Sequence, residues 1–302
     1  MSDLSTEETR ALKPVVDTSS VEEVANDLIV VPNRDVDLVP NIGLIGGDDA
    51  LLVVETGLGP VNGARVLKLA RARAHGRRLY LTTTHFHPEH AFGAQAFAGE
   101  ATWLVNRAQA QDLAVKGAGY LEMFSGLGEG IAVELADVEL PEPDVVYDGS
   151  YDLDLGGRTV ALRATGRAHS KGDQVITVPD AGVMFTGDLA EAGQFPIFPW
   201  YPPYDADVSG TGWLAVMRDL IAQRPRVVVP GHGAISGVEL LEDLADTIEL
   251  LRDETWRRRA AGVEEADAAA TVEALAVAAQ PTWRGQEWIA KAVACFWTQS
   301  AA

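Results

Sequence analysis

Short apolar runs rich in β-branched residues alternate along this chain with longer stretches whose apolar positions recur every three or four residues. The short runs predict strands over Leu28–Val31, Ile42–Ile45, Leu51–Glu55, Leu79–Thr83, Thr102–Val105, Thr159–Ala164, Val175–Val178, Val183–Thr186 and Val227–Val229. The longer stretches predict helices over Val61–Ala74, Glu89–Ala98, Asn106–Lys116, Gly212–Gln223 and Val238–Ala261. In the fourth of these, Trp213, Val216, Met217 and Leu220 share one helical face, the signature of core packing. Alternation of strand and helix places the chain among layered α/β folds.

Composition sets the limits. At 302 residues with 47% hydrophobic, the chain can bury a full core as one large or two small domains. No apolar segment is long enough to span a membrane, and Met1–Ser20 lacks a secretory leader pattern, so a cytoplasmic protein without membrane contact is expected. The single cysteine, Cys295, lies in an apolar helical stretch far from every histidine and reads as core. A net charge of -20 disfavours nucleic acid, whose binding draws on Lys and Arg at phosphates. Arg257-Arg-Arg259 follows an acidic helix and reads as a solvated helix end.

The histidines change the picture. Five of the six fall in three short motifs: His85, His87 and His90 in one, His169 in Ala168-His-Ser-Lys-Gly-Asp173, His232 in Pro230-Gly-His-Gly233. The sixth, His75, closes a helix amid arginines, where a cation suits the helix dipole. With Glu89 and Asp188 there are seven imidazole or carboxylate groups, enough for two divalent ions sharing one bridging carboxylate. In His85-x-His87-x-Glu89-His90 a tight loop after a strand turns alternate side chains the same way, which a helix does not do. Pro88 opens the helix that follows.

These motifs, in this order, resemble the metallo-β-lactamase-fold hydrolases, whose pattern is His-x-His-x-Asp-His, then a His, a bridging Asp and a final His. The match is His85, His87, Glu89, His90, His169, Asp188 and His232, and the resemblance runs from about Leu28 to His232. It departs twice, with Glu89 in place of Asp and Glu55-Thr-Gly57 in place of the Asp-Thr-Gly that supports the ligands. The resemblance implies a four-layer αββα sandwich with a helical C-terminal extension. It divides the chain into an N-terminal tail (1–24), a catalytic domain (25–237) and helices packed on the same domain (238–302).

Two segments exceed that scaffold. Glu191–Tyr204 begins three residues after Asp188, and its prolines and aromatics predict a stiff apolar loop; Phe195, Phe198, Trp200, Tyr201 and Tyr204 are the expected substrate-pocket residues, with rings that cover the core as the plain alternative. Glycine-rich Leu113–Leu140 reads as a lid or an irregular helix pair. The acidic, Trp-rich C-terminal helices lack the basic residues with which glutathione-thioester hydrolases of this fold hold their substrate, and read as core packing or a homo-oligomer contact.

The expected activity follows from metal chemistry. Two zinc ions lower the pKa of a bound water to ~7, giving hydroxide without a serine or cysteine nucleophile. Asp188 bridges the ions and orients the hydroxide, the ion held by Glu89, His90 and His232 polarises the carbonyl, and water, Asp188 or a tyrosine such as Tyr201 or Tyr204 is the candidate leaving-group acid. The expected substrate is a small, largely apolar lactone, ester or thioester. The alternatives are β-lactam hydrolysis and, with one iron (or manganese) in place of two zinc, an oxygenase of the same fold.

Overall fold

A computed structural model describes residues 13–203 and 205–299. Strand β2 (Leu28–Val31) shows why the chain folds in layers: all four residues are buried, but Leu28 and Val30 face one apolar cluster while Ile29 and Val31 face another. Strand β4 (Ala50–Val54) repeats this, with Leu52 and Val54 on one side and Leu51 and Val53 on the other. Strand side chains alternate with period two, so a continuous apolar run must be covered on both faces.

With β1 (Glu22–Ala25), β3 (Ile42–Gly46), β5 (Arg78–Thr82), β6 (Thr102–Asn106) and β7 (Val145–Tyr147) these strands form a seven-stranded sheet in the order β1 to β7. Its first four strands pair antiparallel and β4 to β7 parallel. The second half of the chain forms a five-stranded sheet from β8 (Ser150–Asp154), β9 (Thr159–Ala164), β10 (Gln174–Val178), β11 (Val183–Glu191) and β12 (Val227–His232), in the order β12-β11-β10-β9-β8. Only β11 and β12 pair parallel there.

The sheets stack on a shared cluster that includes Leu52, Val54 and Leu104 from the first and Leu162, Ile176 and Phe185 from the second. Outside the first sheet lie α1 (Gly59–Ala74), α2 (Pro88–Ala91), a 3-10 turn at Ala94–Phe97, α3 (Arg107–Ser125) and α4 (Glu129–Leu135). Outside the second lie α5 (Gly210–Ala222), α6 (Val238–Ala260), α7 (Glu265–Ala279) and α8 (Glu287–Thr298). The architecture is the expected αββα sandwich, and its C-terminal helices share one core with the second sheet. Among the described residues no helix is long and apolar enough to cross a membrane.

Several elements differ from the sequence reading. The helix expected over Glu89–Ala98 is broken because Thr56 donates from both its N–H (3.0 Å) and its Oγ1 (2.7 Å) to the His90 carbonyl, taking the acceptor a continuing helix needs. Helix α3 runs past Lys116 to Ser125, and Leu113–Leu140 is a helix pair. Strands β1, β7 and β8 were not foreseen; all three are sheet edges. Of the segment assigned to a tail, residues 1–12 lie outside the described residues, whereas the rest is built in: Val16 is buried, its N–H bonds Asn62 Oδ1 at 2.8 Å, and β1 pairs with β2.

Candidate metal centre

The strand ends deliver the chemistry. Strand β5 stops at Thr82, and the loop after it carries His85 and His87 into α2, which opens at Pro88 and bears Glu89 and His90. His169 sits in the β9–β10 connection, Asp188 within β11, and His232 ends β12. Because β11 and β12 run parallel with Gly187 opposite Pro230, Asp188 and His232 emerge side by side.

Seven side chains gather as two groups, one of His85, His87, His169 and Asp188, the other of Glu89, His90, His232 and Asp188; in each, all ligand-type atoms lie within 4.8 Å of one another. In the first group His87 Nδ1 is 3.0 Å from His85 Nε2 and 3.2 Å from His169 Nε2, and Asp188 Oδ2 is 3.8 and 3.7 Å from those same two Nε2 atoms. In the second, Asp188 Oδ1 is 3.3 Å from His90 Nε2 and 3.6 Å from His232 Nε2. One carboxylate thus turns one oxygen to each group.

The surroundings aim these atoms. His169 Nδ1 donates to the Ile197 carbonyl at 2.9 Å, which leaves Nε2 as the lone pair facing the group. His90 Nδ1 lies 3.3 Å from Glu55 Oε1, and the Glu55 carboxylate also accepts the Thr84 N–H at 3.2 Å, so Glu55 does for His90 what the Asp of the usual motif was expected to do. Asn41 donates to the carbonyls of Pro230 and Gly233, both at 2.9 Å, and holds the turn that presents His232. Gln174 donates to Thr82 Oγ1 and the Thr83 carbonyl, and Gln109 to Thr83 Oγ1, bracing the loop before His85.

The residues fit a cation. Glu89 Oε2, His90 Nε2 and Asp188 Oδ1 are buried with no hydrogen-bond partner, a costly state that a divalent ion between them would relieve. Burial pushes His85 and His87 well below the ordinary histidine range, with neighbouring imidazoles adding, and brings His169 to about 4, so these rings are neutral donors. Burial opposes a charge on His90, yet the Asp188 and Glu55 carboxylates outweigh it and hold His90 well above that range. Burial, resisted by His90 and reinforced by Asp188, raises Glu89 to about 7. For Asp188 burial is overcome by His90 and His232, which hold the carboxyl well below its usual range.

The profile of the Metallo-beta-lactamase superfamily matches residues 35–232, a span that contains every one of these groups. The chain belongs to that superfamily. The His/Asp cluster is its candidate divalent-metal site. A metallo-beta-lactamase type 2 of Bacteroides fragilis is 29% identical over 133 residues, 42% of this chain and 52% of the relative, so the chain spans about half that relative's length. The fold of a metallo-beta-lactamase from Pontibacter korlensis superposes with a TM-score of 0.58 at 16% identity, covering 75% of this chain and 98% of that one. The sec-alkylsulfatase Pisa1 from Pseudomonas sp. superposes with a TM-score of 0.69 at 15% identity, covering 92% of this chain and 49% of its own.

Within this superfamily fold, the loop after Asp188 behaves differently from the sequence reading. Phe195 and Phe198 are 1% and 0% exposed, packed against Trp283 and against Trp213 and Phe296, so their rings fill the core of the second sheet. Trp200 and Tyr201 are partly exposed, and Tyr204 lies outside the described residues. Sequence reasoning passed over Asn41, Tyr120 and Glu191. Glu191 ends β11 at 1% exposure with one oxygen on Gln194 Nε2 at 2.7 Å and the other unpartnered, its carboxyl held well above the usual range by burial and then by Asp188. A second acid ending the strand that carries Asp188 was the signal available for it; Asn41 and Tyr120 carried none.

Proposed function

We propose that this protein is a metallohydrolase that holds two divalent cations, zinc in both places, and cleaves an ester-type carbonyl bond in a small lactone, ester or thioester. The observation that carries the reading is the division of Asp188, with Oδ2 toward His85 and His169 and Oδ1 toward His90 and His232. Cations bound there supply Lewis acidity and bring the pKa of a water down to ~7. Asp188, held deprotonated, would orient the attacking water, and Glu89 would hold the second cation together with His90 and His232. His232 is the most exposed of the seven ligands, its side chain 13% accessible, and marks the side from which a substrate enters.

Trp200 and Tyr201 support an apolar substrate. The net charge of -20 supports a small molecule over a nucleic acid. The unpaired Cys295 supports a cytoplasmic setting. A single iron, as an oxygenase would carry in the first group, leaves the buried Glu89 Oε2 and His90 Nε2 of the second unpaired, which weighs against that reading.

A second substrate class has one observation in its favour. The likeness to the alkylsulfatase extends over 92% of the chain, where the likeness to the Pontibacter β-lactamase covers 75%. A sulfate ester is therefore the alternative to a carbonyl ester. Metal analysis of protein purified without added metal should find two zinc per chain, and a panel of lactones, thioesters, β-lactams and alkyl sulfates should show turnover concentrated in the first two. One iron per chain, or turnover of alkyl sulfates alone, would sink the reading.

A further inference from the structure

The imidazoles of the centre are not all held in the same way. His85 Nδ1 has Thr84 Oγ1 at 3.1 Å, His90 Nδ1 has Glu55 Oε1 at 3.3 Å, and His169 Nδ1 has the Ile197 carbonyl at 2.9 Å. His87 turns its outer nitrogen, Nε2, to no hydrogen-bond partner, although that atom is buried. What lies against His87 is a ring: Tyr120 stacks on its imidazole with centroids 5.0 Å apart and planes at 18°, and Phe86 meets both rings edge-on at 4.8 and 4.9 Å.

Tyr120 is itself tied down from outside the centre. Its hydroxyl donates to Asp205 Oδ2 at 2.8 Å. One helical turn earlier on the same face of α3, Lys116 carries its ammonium into the same place at 8% exposure, 2.9 and 3.0 Å from the two Asp207 oxygens, 3.4 Å from Asp112 and 3.8 Å from Asp205. A buried lysine among carboxylates is retained at a cost unless well paired. Here it pins the end of the loop that begins at Ala192 to α3. That same loop supplies the Ile197 carbonyl to His169.

We propose that Tyr120 is the positioning residue of His87, held by Asp205 and Lys116. Ile197, Asp205 and Asp207 thereby order two of the three imidazoles of the first group, His169 through a carbonyl and His87 through the Tyr120 stack. This rests on the reading that the first group binds a cation. Removing the ring frees His87 to rotate about a nitrogen that nothing else holds, whereas keeping the ring and removing only its hydroxyl leaves the stack in place.

The test is Zn2+ affinity of the full chain, measured by competition with a chromophoric chelator, with kcat and KM determined alongside. Tyr120→Leu should weaken the first Zn2+ on the order of tenfold or more, as loss of a ligand's supporting partner does, and lower kcat more than it raises KM. Tyr120→Phe, which keeps the ring but gives up its tie to Asp205, should lose less than Tyr120→Leu. Asp205→Ala, which removes the same tie, should match Tyr120→Phe and serves as the deciding variant if Tyr120→Leu does not fold. Native affinity in Tyr120→Leu or in Asp205→Ala, or equal losses in the Phe and Leu variants, overturns the proposal. A native chain that takes up no Zn2+ in the same titration overturns instead the metal reading on which it rests.

Discussion

The carboxylate of Asp188 stands where a side chain on Gly231 would have to be. A β-carbon built on Gly231 meets Asp188 Oδ1, the oxygen that lies 3.3 Å from His90 Nε2 and 3.6 Å from His232 Nε2. The glycine is there for room, so that parallel strands can bring a carboxylate and an imidazole to one point. Gly231→Ala should therefore displace Asp188 and cost about 10–100-fold in metal affinity or activity. Asp188→Ala, which removes both oxygens, should cost more while leaving the fold intact. Metal content and kcat/KM of both variants check this, and near-native values in either would mean that Asp188 does not link the two groups.

Glu89→Asp should be tolerated far better than Glu89→Ala. Aspartate restores the residue expected at this position of the motif but is one methylene shorter, so the second cation should bind with altered affinity and not vanish. Isothermal titration with Zn2+ distinguishes the two, and equal loss in both variants would count against Glu89 as a direct ligand.

The buried position of Phe198 makes its truncation a stability experiment. Phe198→Ala should destabilise the protein by about 3–5 kcal/mol by leaving a cavity against Trp213 and Phe296. Trp200→Ala, on the partly exposed stretch of the same loop, should spare stability and raise KM for bulky apolar substrates more than for small ones. Denaturant unfolding with substrate-size kinetics reads both; a Phe198→Ala variant of native stability would return that ring to the substrate side.

Asn41 shares no motif with His232, yet its amide holds the turn that presents it. Asn41→Ala leaves the buried carbonyls of Pro230 and Gly233 without their donor and should cost about 1–3 kcal/mol of stability. It should also weaken the second cation while sparing the first. Uniform loss at both sites would show a general loosening in place of a local one.

Burial pushes the Cys295 thiol up to about 11 from a usual 9.0. With the side chain fully buried, a thiol reagent at pH 8 should label it only after unfolding. The fold favours the neutral thiol, so the stabilisation is complete below pH 9.0 and is lost as pH rises toward 11. Rapid labelling of the native protein would show that α8 opens readily.

What the sequence determined by itself is what local chemistry can encode. The candidate ligands were legible because imidazoles and carboxylates at strand-end spacing have few other uses, and the inner strands because burial on both faces demands uninterrupted apolar runs. Edge strands carry no such demand: β8 alternates Asp152 and Asp154 with buried Leu153 and went unseen, as did β1 and β7. Tertiary structure alone decided the rest. Thr56, far from His90 in sequence, took the carbonyl that ends a helix early. Core packing against Trp213 and Trp283 drew Phe198 and Phe195 away from the surface that their loop suggested. The stack of Tyr120 on His87 and the grip of Asn41 on the His232 turn join residues 33 and 191 positions apart, and no periodicity or motif records such a pairing. Hydrogen-bond acceptors, cavities and ring faces are shared among distant segments, so their allocation is settled only when all the segments meet.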